Sequence, residues 1–375
     1  MGKRKVLTAV GLSLLMVGIA TGAFAADTIK IGAYLPMTGA VAAYGSAEWM
    51  GIEVARDMEP EVLGKKVELV LVDTKSDKIE AANAITLLLE KEKVVGVLGE
   101  AISGNALAGN PISEKAKIPT VSPTATNPLV NQGKKYAFRA CFIDPFQGQV
   151  AARFAINDLK AKTAAIIIDN AQDYCVGLGK FFDEEFKKLG GKIVSTTYIQ
   201  TGDQDFSAQL SAIQASKPEV IYAPNYYTED ALMAKQARDL GINQPILTGD
   251  GAQTDTLIEL GGKAVENMYF TGHFHKQAAS TDRAKEYVKK FEEKNKKEAD
   301  AFHALGADAY FLMVDAIKRA GSTDGEKVRD ALASTKDFKG VSGIISMGEN
   351  GNPIKSMVIN KVEGGKFIYV TTINP

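Results

Sequence analysis

Hydroxyl side chains follow two short apolar runs in the first third of the chain. Ser103 comes shortly after the run Val94–Leu98. Thr124 and Thr126 closely follow the run Ile118–Ser122. The segment between the runs has the length of a helical crossover between parallel strands, roughly a dozen residues. Ligands of open parallel sheets bind outside the carboxyl ends of the strands, where a helix N-terminus favours an anion. The pattern therefore predicts that these three hydroxyl residues hold the carboxylate of a small ligand.

The same residues also fit a purely structural interpretation. Residues Ser122–Thr126 have the composition of a turn in any protein. Asp250-Gly251 is likewise a common turn pair. Spacing alone does not separate a binding loop from a turn, so both interpretations stay open at this point.

Strands and helices must alternate to place these loops. The strands predicted at Thr28–Leu35, Lys66–Asp73 and Val94–Leu98 are separated by segments with helical spacing. This alternation implies a parallel sheet covered by helices on both faces. After Asp144-Pro145 the alternation starts again and continues to about Gly272, which predicts a second α/β lobe. No flexible linker separates the lobes, and a cleft between domains is a preferred site for small ligands.

One helix of the first lobe has a recognisable start. Asp77 is predicted to cap it, because an aspartate can accept hydrogen bonds from the first free backbone N–H groups of a helix. The spacing of the apolar residues that follow predicts one buried face. That face consists of Ile79, Ala82, Ile85 and Leu89.

Composition and the N-terminus restrict the class of protein. The chain has 375 residues, of which 45% are hydrophobic, and a formal net charge of −1. These values suit two globular domains and give no electrostatic footprint for nucleic acid. Residues 1–26 combine an early positive charge at Lys3–Lys5, an apolar run at Val6–Gly22 and small residues around Ala25. They are typical of a cleaved secretory signal peptide, the alternative being an N-terminal membrane anchor. We predict export to the periplasm.

Residue types for catalysis or metal binding are scarce. The sequence has neither the glycine spacing of a dinucleotide or phosphate loop nor a G-x-S-x-G elbow. His273 and His275 would point the same way on a strand, but a third metal ligand is missing nearby in the sequence. We therefore expect a protein that is not an enzyme and has no cofactor and no metal. The sequence does not decide whether its only cysteines, Cys141 and Cys175, form a disulfide.

Short motifs spread over nearly the whole mature chain carry a family resemblance. In chain order they are Ile31-Gly32, Met37-Thr38-Gly39, Tyr44-Gly45, Gly99 to Ser103, Ser122–Thr126, Phe138-Arg139, Asp144, Gln147-Gly148, Tyr174, Gly177, Tyr226, Glu229 and Gly249-Asp250-Gly251. The sequence resembles the periplasmic substrate-binding proteins of ABC importers, type I fold, in the branch that binds leucine, isoleucine, valine and related ligands.

The resemblance implies a fold and its division into lobes. The expected fold is α/β, with two Rossmann-like, doubly wound parallel-sheet lobes joined by three crossovers and a ligand cleft between them. The N-terminal lobe is expected at residues 27–143 and 274–351. The C-terminal lobe is expected at residues 144–273 and 352–375.

The resemblance also implies roles for individual residues. Ser103 and Thr126 match residues that bind the ligand α-carboxylate, and Thr124 matches one that offers backbone groups. Asp250 matches an acidic residue of the other lobe that pairs with the α-ammonium. Three tyrosines match residues that line the cleft, namely Tyr44, Tyr174 and Tyr226.

The function implied is capture of a small amino acid, branched-chain or aliphatic, by closure of the two lobes. The partner implied is the membrane permease of an ABC transporter, with the binding protein acting as a monomer. Two alternatives use the same fold. One is another small ligand, such as an amide, urea or an aromatic or other carboxylate. The other is a ligand sensor for a membrane receptor.

Overall fold

The computed structural model describes residues 1–2 and 28–375. The predicted signal peptide therefore lies outside the described residues, except for its first two. The helices are α1 Ala42–Met58, α2 Lys78–Leu87, α3 Ser103–Ala116, α4 Asp144–Asn157, α5 Asp173–Lys188, α6 Ser207–Ser216, α7 Tyr227–Asp239, α8 Asp255–Gly261, α9 Asp282–Asn295, α10 Ala301–Ala320 and α11 Gly325–Ala333. The strands are β1 Ile29–Leu35, β2 Glu61–Val62, β3 Lys65–Asp73, β4 Gly96–Leu98, β5 Thr120–Ser122, β6 Ala137–Arg139, β7 Thr163–Asp169, β8 Lys192–Ile199, β9 Val220–Tyr222, β10 Ile246–Thr248, β11 Tyr269–Gly272, β12 Phe338–Lys339, β13 Ile344–Met347, β14 Pro353–Ile354, β15 Met357–Glu363 and β16 Lys366–Ile373.

The first sheet has the order β2-β3-β1-β4-β5-β6. The pairs β3-β1, β1-β4, β4-β5 and β5-β6 are parallel, and only β2 runs antiparallel to its neighbour β3. Strand β1 is buried along almost its whole length because helices cover both faces of the sheet. The strand order changes direction at β1, and the carboxyl ends of β1, β4 and β5 lie at one edge of the sheet. Doubly wound sheets bind ligands at this edge.

The second sheet has the order β16-β15-β11-β10-β9-β7-β8. Strands β7 to β11 form parallel pairs, as the sequence predicts for a second α/β lobe. The last two strands are an antiparallel hairpin whose first strand, β15, pairs with β11. A small antiparallel sheet of β12, β13 and β14 precedes this hairpin. These two main sheets confirm the predicted α/β fold with two lobes.

The chain passes between the two sheets at three places. The first passage leads from β6 to β7, the second leaves β11, and the third enters β15. Helices α9 to α11 follow the second passage, and their apolar residues join the core of the first sheet. The lobe bounds themselves, 27–143 with 274–351 and 144–273 with 352–375, remain our proposal.

Helix α2 corrects one sequence-based expectation. Asp77 caps it as predicted, and its Oδ1 accepts hydrogen bonds from the backbone N–H groups of Ile79 and Glu80. The predicted buried face is correct only in part, because Ile85 is buried and Leu89 packs against the core, but Ile79 is 72% exposed. The residues packed into the core are Ala81, Ala84 and Ile85, with Leu88 just beyond the helix. This set also has helical spacing, and the sequence pattern does not show which of the two stripes meets the sheet.

Helices α1 and α10 pack against each other and join the two separate chain segments of the first lobe. A Cβ atom on Gly51 would overlap the carbonyl oxygen of His303, and one on Gly306 would overlap that of Glu48. Only glycine allows backbones to approach this closely. Among the described residues, no helix is long and apolar enough to cross a membrane.

Candidate functional site

A small cavity lies between the carboxyl edges of the two sheets. Its volume is about 20 Å³, which is about enough for one water molecule. Nine residues line it, namely Tyr44, Ala101, Ser103, Thr124, Tyr174, Tyr226, Asp250, Gly251 and Phe302. Six of these are among the seven site residues expected from the sequence. The exception is Thr126.

The lining residues come from both lobes and mostly follow the ends of parallel strands. In the first lobe, Ser103 lies after β4 and Thr124 after β5. In the second lobe, Tyr226 lies after β9 and Asp250 after β10. The open carboxyl edges of both sheets therefore supply the cavity, which is the geometry expected for a ligand site in such sheets.

Ser103 is the first residue of α3, and its side chain is buried. Its Oγ accepts a hydrogen bond of 3.2 Å from the backbone N–H of Asn127. A serine hydroxyl can accept and donate at once, so the hydroxyl proton of Ser103 stays available for a ligand. The free N–H groups of the first helical turn add positive potential at this point.

The Thr124 hydroxyl is hydrogen-bonded within the first lobe. Its Oγ1 lies 2.5 Å from Oε1 of Glu48 and 3.1 Å from the carbonyl oxygen of Ala101. Burial raises the pKa of Glu48 well above its ordinary value. The Thr124 hydroxyl is thus engaged within the protein although the residue lines the cavity, and the main-chain role implied by the resemblance stays a prediction.

Thr126 is buried behind the cavity rather than at its surface. Its backbone oxygen accepts a hydrogen bond of 3.1 Å from the N–H of Asp144. Burial raises the pKa of the Asp144 carboxyl to about 8, although the neighbouring Thr126 hydroxyl and Arg139 favour its ionised form. Arg139 is completely buried and donates to the backbone oxygens of Ala125 at 2.6 Å and Asn127 at 3.1 Å. These contacts hold the loop that carries Thr124 and Thr126.

Asp250 lies on the opposite side of the cavity and has three side-chain partners. Its Oδ1 accepts hydrogen bonds of 2.9 Å from Gln147 Nε2 and 2.9 Å from the Tyr174 hydroxyl. Its Oδ2 lies 2.9 Å from Nε2 of His273. Gln147 is held in turn, because its Oε1 accepts from the Thr271 hydroxyl at 2.6 Å and from the Asp250 N–H at 3.0 Å. The carboxylate is thus fixed in orientation by groups that carry no positive charge when His273 is neutral.

Aromatic rings fill the space between the two polar sides. Tyr44 stacks on Phe302 with ring centroids 4.3 Å apart, and Tyr174 stacks on Tyr226 at 5.4 Å. Tyr44 and Tyr226 meet edge to face at 5.6 Å. The Tyr44 hydroxyl also donates a hydrogen bond of 2.6 Å to the carbonyl oxygen of Gly251 in the other lobe. The rings give the cavity an apolar wall with few polar groups, which is typical of small-ligand sites.

Further contacts join the lobes near the cavity. Tyr227 donates to the carbonyl oxygen of Ala40 at 3.2 Å. Lys78 and Asp173 form an ion pair of 2.8 Å whose side chains are about half exposed. The backbone oxygen of Asp173 also accepts a hydrogen bond of 2.8 Å from Asn127. The structure is therefore a closed conformation of the two lobes.

Sequence reasoning missed several residues of this site. Ala101, Gly251 and Phe302 line the cavity, and Gln147 and His273 hold Asp250. Gln147 belonged to a family motif, but its type gave no hint of a role. The position of Phe302 depends on the packing of α10 against α1, which no local pattern reveals.

The surroundings of the histidines and cysteines bear on metal binding and on thiol reactivity. Within the described part of the chain, no group of three or more His, Cys, Asp or Glu residues is arranged to hold a metal ion. His273 contacts Asp250, and His275 Nε2 lies 3.3 Å from the backbone oxygen of Phe367. Cys141 and Cys175 are free and buried, and burial raises the pKa of the Cys141 thiol to about 12. A thiol with such a pKa is not a nucleophile at neutral pH.

Comparison with known proteins places these features in a family. The sequence profile of the periplasmic binding protein family matches residues 28–366. The Leu/Ile/Val-binding protein BraC3 of Rhizobium johnstonii is 32% identical, with 94% of this chain and 97% of that protein covered. The leucine-binding protein LivK of Thermotoga maritima has 49% sequence identity to this chain. Its crystal structure superposes with a TM-score of 0.91, and the alignment covers 92% of this chain and 99% of LivK. The branched-chain amino acid transporter substrate-binding protein LivJ of Streptococcus pneumoniae has 33% sequence identity to this chain. Its crystal structure with isoleucine superposes with a TM-score of 0.88, and the alignment covers 93% of this chain and 100% of LivJ.

Proposed function

The chain belongs to the periplasmic binding protein family, and from this premise we propose that it captures a branched-chain or other aliphatic amino acid between its lobes. The protein acts outside the cytoplasm and hands the amino acid to the permease of an ABC importer. It does so as a monomer and without catalysing a reaction. The similar proteins named above bind leucine, isoleucine or valine, which supports this class of ligand.

The observation that carries the proposal is the separation of charge-recognising groups across one cavity. Ser103 and the N-terminus of α3 lie on one side, and Asp250 lies on the other. A buried zwitterion loses its water at both charged ends, so each end needs full compensation by the protein. Here the first lobe offers hydrogen-bond donors to a carboxylate. The second lobe offers a carboxylate to an ammonium group.

The walls between these two ends suit an apolar side chain. Tyr44, Tyr226 and Phe302 present ring faces and edges, while their polar atoms are few. Such surfaces favour an aliphatic group over a charged one. A ligand that bridges the two lobes also binds the closed form better than the open one, and this difference drives closure.

Ligands without an ammonium group fit the site less well. A simple carboxylate, such as an aromatic acid, would leave Asp250 buried without its counter-charge, and an unpaired buried carboxylate is costly. Urea and neutral amides would meet the same carboxylate and leave the donors around Ser103 without an anion. Transport and sensing make equal use of the site, and the family premise favours transport.

A thermal-shift screen tests the proposal. The purified protein is stripped of ligand by unfolding and refolding, and then melted with common amino acids, urea, short amides and aromatic carboxylates. A ligand at a hundred times its dissociation constant adds about 2.7 kcal/mol to the free energy of unfolding. We expect a clear increase in Tm with leucine, isoleucine or valine.

The Asp250→Ala variant and its isosteric counterpart Asp250→Asn show whether the ammonium is recognised as proposed. Both should lose the shift with amino acids while unfolding cooperatively on their own. A shift in the wild type only with compounds that lack an ammonium group would keep the cleft as the site but contradict the role of Asp250. Unchanged affinity in Asp250→Ala would contradict the zwitterion proposal altogether.

A further inference from the structure

His273 lies between the ammonium side of the cavity and the passage to the first lobe. It directly follows β11, and its ring is almost completely buried. The ring stacks on Phe142 with centroids 3.7 Å apart, and Phe142 belongs to the first passage between the lobes. Its Nε2 atom lies 2.9 Å from Oδ2 of Asp250. His273 therefore contacts the Asp250 carboxylate directly without lining the cavity itself.

The other ring nitrogen determines the protonation state. Nδ1 of His273 is buried and has no hydrogen-bond partner among the described residues. A protonated ring would place an N–H at Nδ1 with no acceptor, and a buried donor without an acceptor is costly. A bare nitrogen lone pair at this position costs less than a stranded N–H. The neutral ring therefore carries its proton on Nε2 and donates it to Asp250.

We propose that His273 is a positioning residue for ligand binding: the neutral ring donates a hydrogen bond that orients the Asp250 carboxylate toward the ligand ammonium, and the protonated ring competes with that ammonium. Acidification then releases the ligand. This inference rests on the proposed function, because it needs an ammonium group at Asp250. In the neutral state Asp250 has a full negative charge to share with the ligand. In the protonated state the imidazolium neutralises it at 2.9 Å.

The charged and titratable groups around His273 set the pH range. Burial lowers the pKa of His273, the contact with Asp250 opposes this, and the positive charge of Lys355 adds to the lowering. The other titratable groups that interact with Asp250 are Asp144, Cys141 and four tyrosines, namely Tyr44, Tyr174, Tyr222 and Tyr226. The pKa of Lys355 is lowered to about 8 by its own burial, so this lysine is charged throughout the acidic range.

The direction of the pH effect follows from these shifts. Because the pKa of His273 lies below its usual value, the ring is neutral at neutral pH and the ligand affinity is fully present there. As the pH falls through the pKa of His273 in the free protein, proton binding competes with the ligand and the affinity declines. One proton is then released for each ligand bound.

Glu100, in the other lobe, also titrates within the pH range of the experiment. Burial raises its pKa to about 7, opposed by hydrogen bonds from the Thr74 hydroxyl and the Ile102 N–H. A pH dependence of the wild type alone would therefore not identify His273. Comparing the wild type with the histidine variants does identify His273, because Glu100 is present in all of these proteins.

The experiment measures the dissociation constant of L-isoleucine by calorimetry from about pH 7.5 to about pH 4.5 in the wild type, His273→Gln and His275→Gln. Glutamine keeps an N–H donor for Asp250 but does not titrate. His275 lies two residues away and contacts Phe367 rather than Asp250, so His275→Gln is the matched control. Buffers of different ionisation enthalpy give the number of protons released on binding.

In the wild type and His275→Gln we expect affinity to fall in acid by up to about tenfold per pH unit, with proton release rising toward one. In His273→Gln the acid loss should be smaller by about threefold or more at the lowest pH. An equal loss in His273→Gln would overturn the inference, as would a wild-type affinity that does not change with pH. No binding by the wild type at neutral pH would instead overturn the proposed function.

A second measurement does not depend on ligand or on the folding of a variant. Long-range ¹H–¹⁵N spectra of the ligand-free wild type report which ring nitrogen of each histidine carries the proton. We expect the Nε2–H form for His273 at neutral pH. A proton on Nδ1 would overturn the inference, because Nε2 would then be an acceptor and Asp250 would be the protonated partner.

Discussion

The hydroxyl group of Ser103 makes one structural hydrogen bond and keeps its proton for the proposed contact with a ligand. Its oxygen accepts the backbone N–H of Asn127, which ties α3 to the loop after β5. Its proton is left for the cavity. A ligand carboxylate would therefore receive a hydrogen bond from a donor whose direction is already fixed, and fixed donors lose little entropy on binding.

Replacement of this hydroxyl tests that contact. We expect Ser103→Ala to weaken binding of the cognate amino acid by about 1–3 kcal/mol, because a hydrogen bond to a charged group is lost. Ser113→Ala is the matched control, since Ser113 lies in the same helix and its hydroxyl donates to the Ile118 carbonyl oxygen at 2.6 Å, away from the cavity. Calorimetry measures the dissociation constant of the amino acid for both variants. Equal affinity in the two would contradict the role of Ser103.

Individual site residues differ in how far the sequence predicts them. Ser103 and Asp250 follow apolar runs, so their place at strand ends is visible in the pattern. The contact between Asp250 and His273 is not visible in the sequence pattern. It depends on the register of β10 and β11, in which Thr248 is opposite Phe270. Thr126 also follows an apolar run, but it lies behind the cavity in a loop held by Arg139, and its contact with a ligand carboxylate stays a prediction.

The turn after β10 positions two side chains of the candidate site at once. Gly249 lies directly before Asp250, and a Cβ atom on Gly249 would overlap the hydroxyl oxygen of Tyr174. The missing side chain therefore creates the space in which Tyr174 reaches Asp250. In the sequence, Gly249 and Gly251 resemble ordinary turn glycines, and only the packing reveals the difference.

We expect Gly249→Ala to weaken ligand binding by more than about tenfold, because the added methyl group displaces the Tyr174 ring and frees one side of Asp250. Tyr174→Phe removes only the hydroxyl and serves as the companion variant. If Gly249→Ala acts through this hydroxyl, the double variant loses less affinity than the sum of the two single losses. Strict additivity in this cycle would contradict the explanation.

Helices illustrate which element properties a sequence predicts. The cap at Asp77 is local chemistry, and both hydrogen bonds form as expected. The buried face of the same helix depends on the surface against which it packs, and Ile79 ends in solvent. Strand and helix alternation predicted both sheets, because it reflects burial on two faces, whereas the antiparallel pairing of β15 with β11 at the sheet edge is not visible in any local pattern.

The lobes are so close in this structure that the cavity between them is smaller than an amino acid, and the ligand-bound closed form must therefore be somewhat wider. A cavity of about 20 Å³ holds about one water, and Tyr44 and Tyr227 bridge the lobes by hydrogen bonds. The exposed Lys78–Asp173 pair adds little, since such pairs contribute about 0–1 kcal/mol. Ligand entry therefore requires the lobes to separate about their three connections.

Small-angle X-ray scattering checks this motion. We expect the stripped protein to have a larger radius of gyration than the protein saturated with its amino acid, because the ligand binds both lobes and shifts the population toward closure. Asp250→Asn should keep the larger radius at the same ligand concentration. Identical scattering curves with and without ligand in the wild type would contradict an opening of the lobes in the ligand-free protein.

The interleaved course of the chain has a consequence for biosynthesis. Strand β11 obtains its neighbour β15 only near the C-terminus, and the first lobe receives α9 and α10 only after β11 has been made. Neither half of the molecule is a continuous stretch, so a nascent chain on the ribosome cannot complete either half early. The polypeptide stays incompletely folded until its final hairpin is synthesised, a state that a translocation channel for unfolded chains can accept.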